Sequence, residues 1–269
     1  MSGSIELMNV NFGYEESETD IFSNMNLSLP GGVTTLIGQN GTGKSTLLLL
    51  AGGRLMPDTG DVLINGMNSR QISDEAVRSK IVSMIYQNME FETEDSVESL
   101  LYYVYEQNKE SADGLVEEII KVFGLKESLG KKFQENSKGD MQKICVAFSL
   151  LYGSPYIMMD EPVFALEYKW KETILEYIIE FSRRRNVAVY YSIHELDLSQ
   201  KYSDNTLLFN KDHSISMGPS STVLSRELLE EAYQVPMELL YQRESLFRDH
   251  LTKPVDTDSL SGQNVKIID

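Results

Sequence analysis

The sequence predicts an α/β fold, a core of strands alternating with helices and interrupted by an all-helical segment. Three observations predict it. A short β-branched run, Val33 to Ile37, passes at once into glycine-rich sequence and then into a helical run, Ser45 to Gly52; strand, glycine loop, helix is the opening of a βα unit. A second apolar run, Ile157 to Asp160, ends in two adjacent acids. Between them, from about residue 94 to 152, apolar residues recur at helical spacing and do not alternate.

The remaining elements follow in order. Ile5 to Phe12 alternates apolar and polar as a half-buried strand does. Ile21 to Leu29 reads the same way and stops at Pro30-Gly31-Gly32, a turn. Val62 to Ile64 and Ile81 to Ile85 are further strands. Val97, Leu100, Leu101 and Val104 mark one helix face, and Val116, Ile119, Ile120 and Phe123 another, with Gly124 and Gly130 breaking the runs. Trp170 to Ser182 reads as a helix, Val187 to Ser192 and Thr206 to Phe209 as strands, and Ser225 to Tyr233 as a short helix. The last fifteen or so residues are too polar to promise order.

Of the 269 residues, 41% are hydrophobic and spread along the whole length, enough for a sizeable core. No apolar stretch approaches the roughly 20 residues of a membrane span, and no apolar segment follows Met1 as a secretory signal would. The single cysteine, Cys145, excludes an internal disulfide and falls in an apolar helical pattern, as a buried, inert thiol does. These features point to the cytoplasm. A net charge of −17 and the lack of a long basic stripe speak against nucleic acid as a partner. The one basic run, Arg183-Arg184-Arg185, ends a predicted helix, where it complements the helix dipole.

Gly38-Gln39-Asn40-Gly41-Thr42-Gly43-Lys44-Ser45-Thr46 matches the phosphate-binding loop G-x-x-x-x-G-K-[ST]. Glycines let backbone N–H groups turn inward around an anion, and the following helix aims its N-terminal amides at the phosphates. Lys44 can reach the β and γ phosphates of a nucleotide, and the Ser45 hydroxyl can ligate Mg²⁺; the loop alone does not separate kinases, GTPases and ATPases. A GTPase would carry N-K-x-D to read guanine; Asn210-Lys211-Asp212-His213 puts the acid one place early. In Tyr156-Ile157-Met158-Met159-Asp160-Glu161-Pro162 an apolar strand delivers two acids. Asp160 can sit beside Mg²⁺ next to the loop, and Glu161 can polarise an attacking water as general base. Met158 and Met159 read as core filling.

With these motifs the sequence resembles the ABC ATPase family over about residues 4 to 235. The resemblance implies a RecA-like P-loop NTPase core (about 1–88 and 155–225) with an antiparallel β subdomain and an inserted α-helical subdomain (about 89–154), followed by an extension, 236–269. It implies an ATPase active as a head-to-tail dimer with a second ATPase subunit. Tyr14 sits where the family places an aromatic that stacks on adenine. Gln87 matches the glutamine that contacts Mg²⁺ and senses a transmembrane partner, and His194 the histidine that contacts the γ-phosphate. His213 and His250 receive no role. The family signature L-S-G-G-Q falls on Asn136-Ser137-Lys138-Gly139-Asp140 and is expected to close on the ATP of the partner subunit. Here Lys138 replaces a glycine and Asp140 a glutamine. The Lys138 side chain crowds the loop if the backbone needs φ > 0, or adds a cation. After Pro162 the family's S-x-L-D becomes Phe164-Ala165-Leu166-Glu167.

Glu195 to Asp204, and Gly218-Pro219 through Leu228 to Pro236, resemble importer subunits serving iron-siderophore, haem and cobalamin uptake, although the segment after Gln87 lacks the Gly-Arg and Pro-His residues of that group. The expected partners are then an integral membrane permease, which would hold the chain at the inner face of the cell membrane, and a substrate-binding protein. An efflux ATPase and a weakly hydrolysing, nucleotide-dependent regulatory module are the alternatives.

Overall fold

The structure, a computed structural model, describes residues 4–15, 19–86, 89, 92–107 and 113–240. The first half of the chain runs β1 (Ile5–Phe12), β2 (Phe22–Leu29), β3 (Val33–Gly38), α1 (Lys44–Ala51), β4 (Thr59–Ile64), β5 (Met67–Asn68), α2 (Glu75–Ile81) and β6 (Val82–Ile85). Three helices follow, α3 (Val97–Glu106), α4 (Leu115–Val122) and α5 (Lys138–Leu151). The chain then forms β7 (Tyr156–Met159), α6 (Tyr168–Arg185), β8 (Ala188–Ser192), α7 (Leu196–Lys201) and β9 (Asn205–Phe209). It ends in β10 (Ile215–Pro219), α8 (Ser220–Val223) and α9 (Arg226–Tyr233).

Two sheets result. One has the order β2-β1-β4-β5, with each pair antiparallel. The other has the order β10-β9-β3-β8-β7-β6, parallel except for β10 at its edge. Every residue of β3 and of β7 is buried, as parallel strands covered on both faces must be. Consecutive residues therefore serve opposite cores. Met159 packs with Ile157, Val189 and the helices of the insert, whereas Met158 packs with Leu36, Tyr190, α1 and the antiparallel sheet. Both methionines are core filling, as expected.

The strand order fixes the site. β8 lies between β3 and β7, so the loop after β3, the acids after β7 and the end of β8 meet at the carboxyl edge of the sheet. Open α/β sheets bind ligands at that edge. Helices α3 to α5 stand between β6 and β7 in the chain and pack on this sheet through Ile144, Val146 and Leu150.

Among the elements not legible in advance are α2 and β10. Helix α2 buries none of its residues, so it has no apolar stripe to find; the Asp74 side chain caps it, and Glu75 ties it to Arg54 at 2.8 Å and pairs with Arg78 within the helix at 2.7 Å. Strand β10 is a short edge strand with no buried residue. The basic run Arg183–Arg185 does form the last turn of α6, before Asn186 takes the left-handed conformation. Cys145 is buried, and burial pushes its thiol up to about 12.

Gly60, the second residue of β4, lies opposite an irregularity in β1, with φ of 82°. A Cβ there would lie 2.3 Å from the Asn9 carbonyl oxygen. Gly60→Ala is therefore expected to cost more than about 1 kcal/mol, read as a lower urea midpoint with unchanged slope. An unchanged midpoint would contradict this packing.

Candidate active site

The loop from Gly38 to Thr46 leaves the central strand β3 and enters α1. Gly38, Gly41 and Gly43 have φ of 151°, 81° and 104°. Gly43 caps α1 in the left-handed region, and a Cβ on it would meet Ile21 and Phe22 side-chain carbons at 2.9 Å. The loop thus needs glycine both for its turn and for its closeness to β2. The first turn of α1 carries no acid, which keeps the positive end of the helix dipole available to an anion. Asn40 and Gly41 stand exposed at the crest, while Thr42 is buried with its hydroxyl donating to the Gln39 carbonyl at 2.8 Å.

Lys44 is buried and folded back on the loop. Its Nζ donates to the carbonyls of Gly38 at 2.8 Å and Gln39 at 2.9 Å. Burial pushes its pKa below the usual lysine value, and the carboxylates of Glu161 and Asp160 push it back up. The Gln39 side chain points elsewhere: its Nε2 donates to the Tyr233 carbonyl at 2.6 Å, at the end of α9. Gln39 can therefore meet a phosphate through its backbone alone, which narrows the reading made from the motif. Ser45 is exposed, and Thr46 is buried beside it. The Thr46 hydroxyl lies 3.2 Å from the Tyr14 hydroxyl. Tyr14 packs edge-on against Phe12, with ring centroids 5.0 Å apart, and is 46% exposed. An aromatic surface thus stands free beside the phosphate loop.

Across β8 the second half of the site is bound into one network. Asp160 follows β7, and its backbone N–H donates to the Ile85 carbonyl. Ser192, the last residue of β8, donates its hydroxyl to Asp160 Oδ1 at 2.6 Å and accepts the Glu161 N–H at 2.8 Å. Glu161 has φ of 50°, a left-handed conformation that costs a non-glycine residue about 1–2 kcal/mol. Its Oε1 lies 2.7 Å from His194 Nε2, a contact made by an N–H donating to the carboxylate. Its carbonyl accepts from Gln142 Nε2 at 2.6 Å. Lys44, Asp160, Glu161 and His194, chosen from the sequence as candidates, are thus brought to one edge of the sheet. Ser192 and Gln142 were not chosen, because neither belongs to a spacing pattern. Gln87 lies outside the described residues.

The signature segment begins α5. Ser137 is the N-cap, accepting the Asp140 N–H at 3.1 Å and donating its hydroxyl to Asp140 Oδ2 at 2.7 Å. Asp140 also pairs with Lys143 at 2.7 Å, and Lys143 lies 4.4 Å from the Trp170 ring centroid. Burial opposes the Asp140 charge, but Lys143 and the Ser137 hydroxyl outweigh it and hold the carboxyl below the usual range. Lys138 and Gly139 both lie in the first helical turn without positive φ. The condition on which Lys138 was expected to crowd the loop, a positive φ, is not met, and its side chain is exposed.

The Asn210–His213 stretch is the tight turn between β9 and β10, closed by Asn210 N–H to the Ser214 carbonyl and by Asp212 accepting the Ser214 N–H. His213, given no role from the sequence, places Nδ1 3.3 Å from the Thr42 carbonyl and so buttresses the phosphate loop from behind.

The chemistry of the donors can be tested against Mg²⁺. Among the described residues no cluster of three His, Cys, Asp or Glu could hold a metal by itself. The exposed Ser45 hydroxyl and the Asp160 carboxylate are hard oxygen donors. Mg²⁺ is characteristically held by one or two such protein oxygens plus phosphate oxygens and water, so the residues present fit.

The sequence profile described as ABC transporter matches residues 22–164. The chain belongs to the ABC transporter ATP-binding family. It is 31% identical over 233 residues to an ABC transporter ATP-binding protein of Archaeoglobus fulgidus, covering 85% of this chain and 96% of that one. It is 28% identical over 232 residues to a hemin import ATP-binding protein of Bordetella avium, covering 82% and 88%. An inward-facing transporter of the metal-chelate type shares the fold, with a TM-score of 0.69 at 22% identity over 88% of this chain and 90% of that one. The chain is an ABC ATPase, a nucleotide-binding subunit of a transporter. Among the described residues no helix is long and apolar enough to cross a membrane.

Proposed function

We propose that this ABC ATPase powers a separate membrane permease as an importer of the iron-siderophore, haem or cobalamin type, at the inner face of the cell membrane. Residues 1–235 act as the ATPase domain and 236–269 as an extension. The observation that carries the catalytic reading is the junction of Lys44, Asp160, Glu161 and His194 at the edge of one parallel sheet.

In this reading the amides of Gly41, Thr42 and Gly43 face the phosphates, and Lys44 leaves the Gly38 and Gln39 carbonyls for the β and γ phosphates. Asn40 lies over the loop's crest, and Thr46 positions Tyr14 against the adenine. Ser45, Asp160 and Gln87 hold Mg²⁺, which when bound offsets phosphate charge and polarises the transferring group. Glu161 takes a proton from the attacking water, and His194, fixed on Glu161, reaches the γ-phosphate. Ser137, Lys138, Gly139 and Asp140 close on the ATP of a second subunit. The import direction is supported by the hemin import relative and by Glu195–Asp204 and Gly218–Pro236.

Purification of the tagged chain from membranes should bring down an integral membrane permease. In vesicles, with ATP on the side of the chain, the pair should move haem or cobalamin toward that side. Movement away from it would overturn import, and the absence of any permease would overturn the pairing with a separate permease. Tyr14→Ala should weaken ATP and GTP alike by about 1–3 kcal/mol, because stacking on an aromatic tolerates any base. Strong rejection of GTP by the wild type would contradict this stacking.

A further inference from the structure

We infer that Gln142 is a positioning residue for hydrolysis, one that sets the backbone of Glu161 and links it to the start of α5. The inference rests on the general-base reading of Glu161.

Glu161 is held in a conformation its side chain disfavours, with φ of 50°. Such a conformation persists only where its surroundings over-determine it. Ser192 fixes its N–H and His194 engages its carboxylate, both from β8 and the residues just after it. The carbonyl accepts the Phe164 N–H within its own turn at 3.3 Å and, from outside that turn, the shorter bond of Gln142 on α5 at 2.6 Å. The other end of the same amide group is also used: Gln142 Oε1 accepts the Ala165 N–H at 2.7 Å. One side-chain amide thus spans the turn from Glu161 to Ala165, donating at one end and accepting at the other. Both ends being satisfied, the amide has a single orientation and cannot flip without losing both bonds.

Its place in the helix gives the clamp a second consequence. Gln142 stands three residues after Gly139, about 4.5 Å along the helix axis, and five after the N-cap Ser137. A helix moves as a rigid element over that length. A displacement of the signature end of α5 is therefore delivered to the Glu161 carbonyl, and hence to the carboxylate that must meet the water. Misplacement by about 1 Å can cost on the order of 10²-fold in rate.

Two variants of the full chain separate positioning from mere attachment. Gln142→Leu removes both bonds. Gln142→Glu keeps an acceptor for the Ala165 N–H and replaces the donor facing the Glu161 carbonyl with a carboxylate oxygen. Both are expected to lower kcat by about 10- to 100-fold with KM for ATP within about twofold, and with ATP binding by calorimetry unchanged. In a Glu161→Gln background, Gln142→Leu should lower residual hydrolysis less than about twofold further, since two residues acting through one step are not additive. Wild-type kcat in Gln142→Glu, or equal losses in kcat and ATP affinity, would reduce Gln142 to a structural staple and overturn the inference. Should Glu161→Gln itself hydrolyse ATP at the wild-type rate, the general-base reading fails instead, and the two failures are distinct.

Discussion

Replacing Glu161 by Gln is expected to leave ATP binding intact while slowing hydrolysis by about 10²–10⁴-fold, the usual contribution of a general base. The substitution is conservative where the structure is most exacting. The Glu161 N–H still donates to Ser192 and its carbonyl still accepts from Gln142, since both bonds belong to the backbone. The glutamine side chain keeps the length and an oxygen for His194. What is lost is the capacity to take a proton. ATP should then persist, and a site completed by a second subunit should be trapped as a dimer, because each nucleotide adds contacts that only the dimer has. Removing one negative charge near the γ-phosphate also favours closure. Size-exclusion chromatography with light scattering should give a monomer without nucleotide, a dimer with ATP and no dimer with ADP. A mutant that stays monomeric at every ATP concentration would favour the regulatory reading, or a heterodimer whose partner brings an unaltered signature. Lys138 occupies an ordinary first helical turn, so an obstacle there would be its exposed side chain and not a strained backbone. The closed circuit of Ser137 with Asp140 would be a second place to look.

What could be read in the sequence is what is encoded locally. The phosphate loop shows because its glycines, lysine and serine must follow one another in a single turn. Asp160 and Glu161 show because an apolar strand announces where it ends. The groups that tie these parts together do not show. Ser192 reaches Asp160 across 32 positions and Glu161 across 31, and Gln142 reaches backbone atoms 19 and 23 positions away. Their partners are mostly main-chain N–H and C=O groups, present at every residue, so no residue type at the far end betrays the bond. The same holds for Gln39, whose place in the motif suggested the ligand while its side chain is used by Tyr233. Helix α2 escapes for the opposite reason. It is held by a cap and ion pairs, and it has no buried face to impose a period.

Lys44 provides the second large effect, and it separates affinity from stability. The buried ammonium is partnered in this structure by two carbonyls, and burial depresses its pKa even with Glu161 and Asp160 nearby. With a folded pKa below 10.5, folding opposes the charged form. That cost applies at every pH below the folded pKa, neutral pH included, and fades only as the pH rises toward 10.5. The charge is thus a burden on the empty fold and is compensated fully only by an anion. Lys44→Met, which keeps the length of the stem and drops the charge, should leave the thermal midpoint within a few degrees of wild type. Its affinity for ATP should fall by about 3 kcal/mol or more, since hydrogen bonds to charged groups contribute about 1.5–3 kcal/mol each and two phosphates are served. That is roughly 10²-fold or more in Kd. Lys44→Ala should show the same loss of affinity together with a lower midpoint, because it also empties the space of the buried stem. Calorimetric titration beside thermal unfolding measures both quantities. Wild-type ATP affinity in Lys44→Met would mean that the phosphates are held without this lysine, and the assignment of the loop would fall with it.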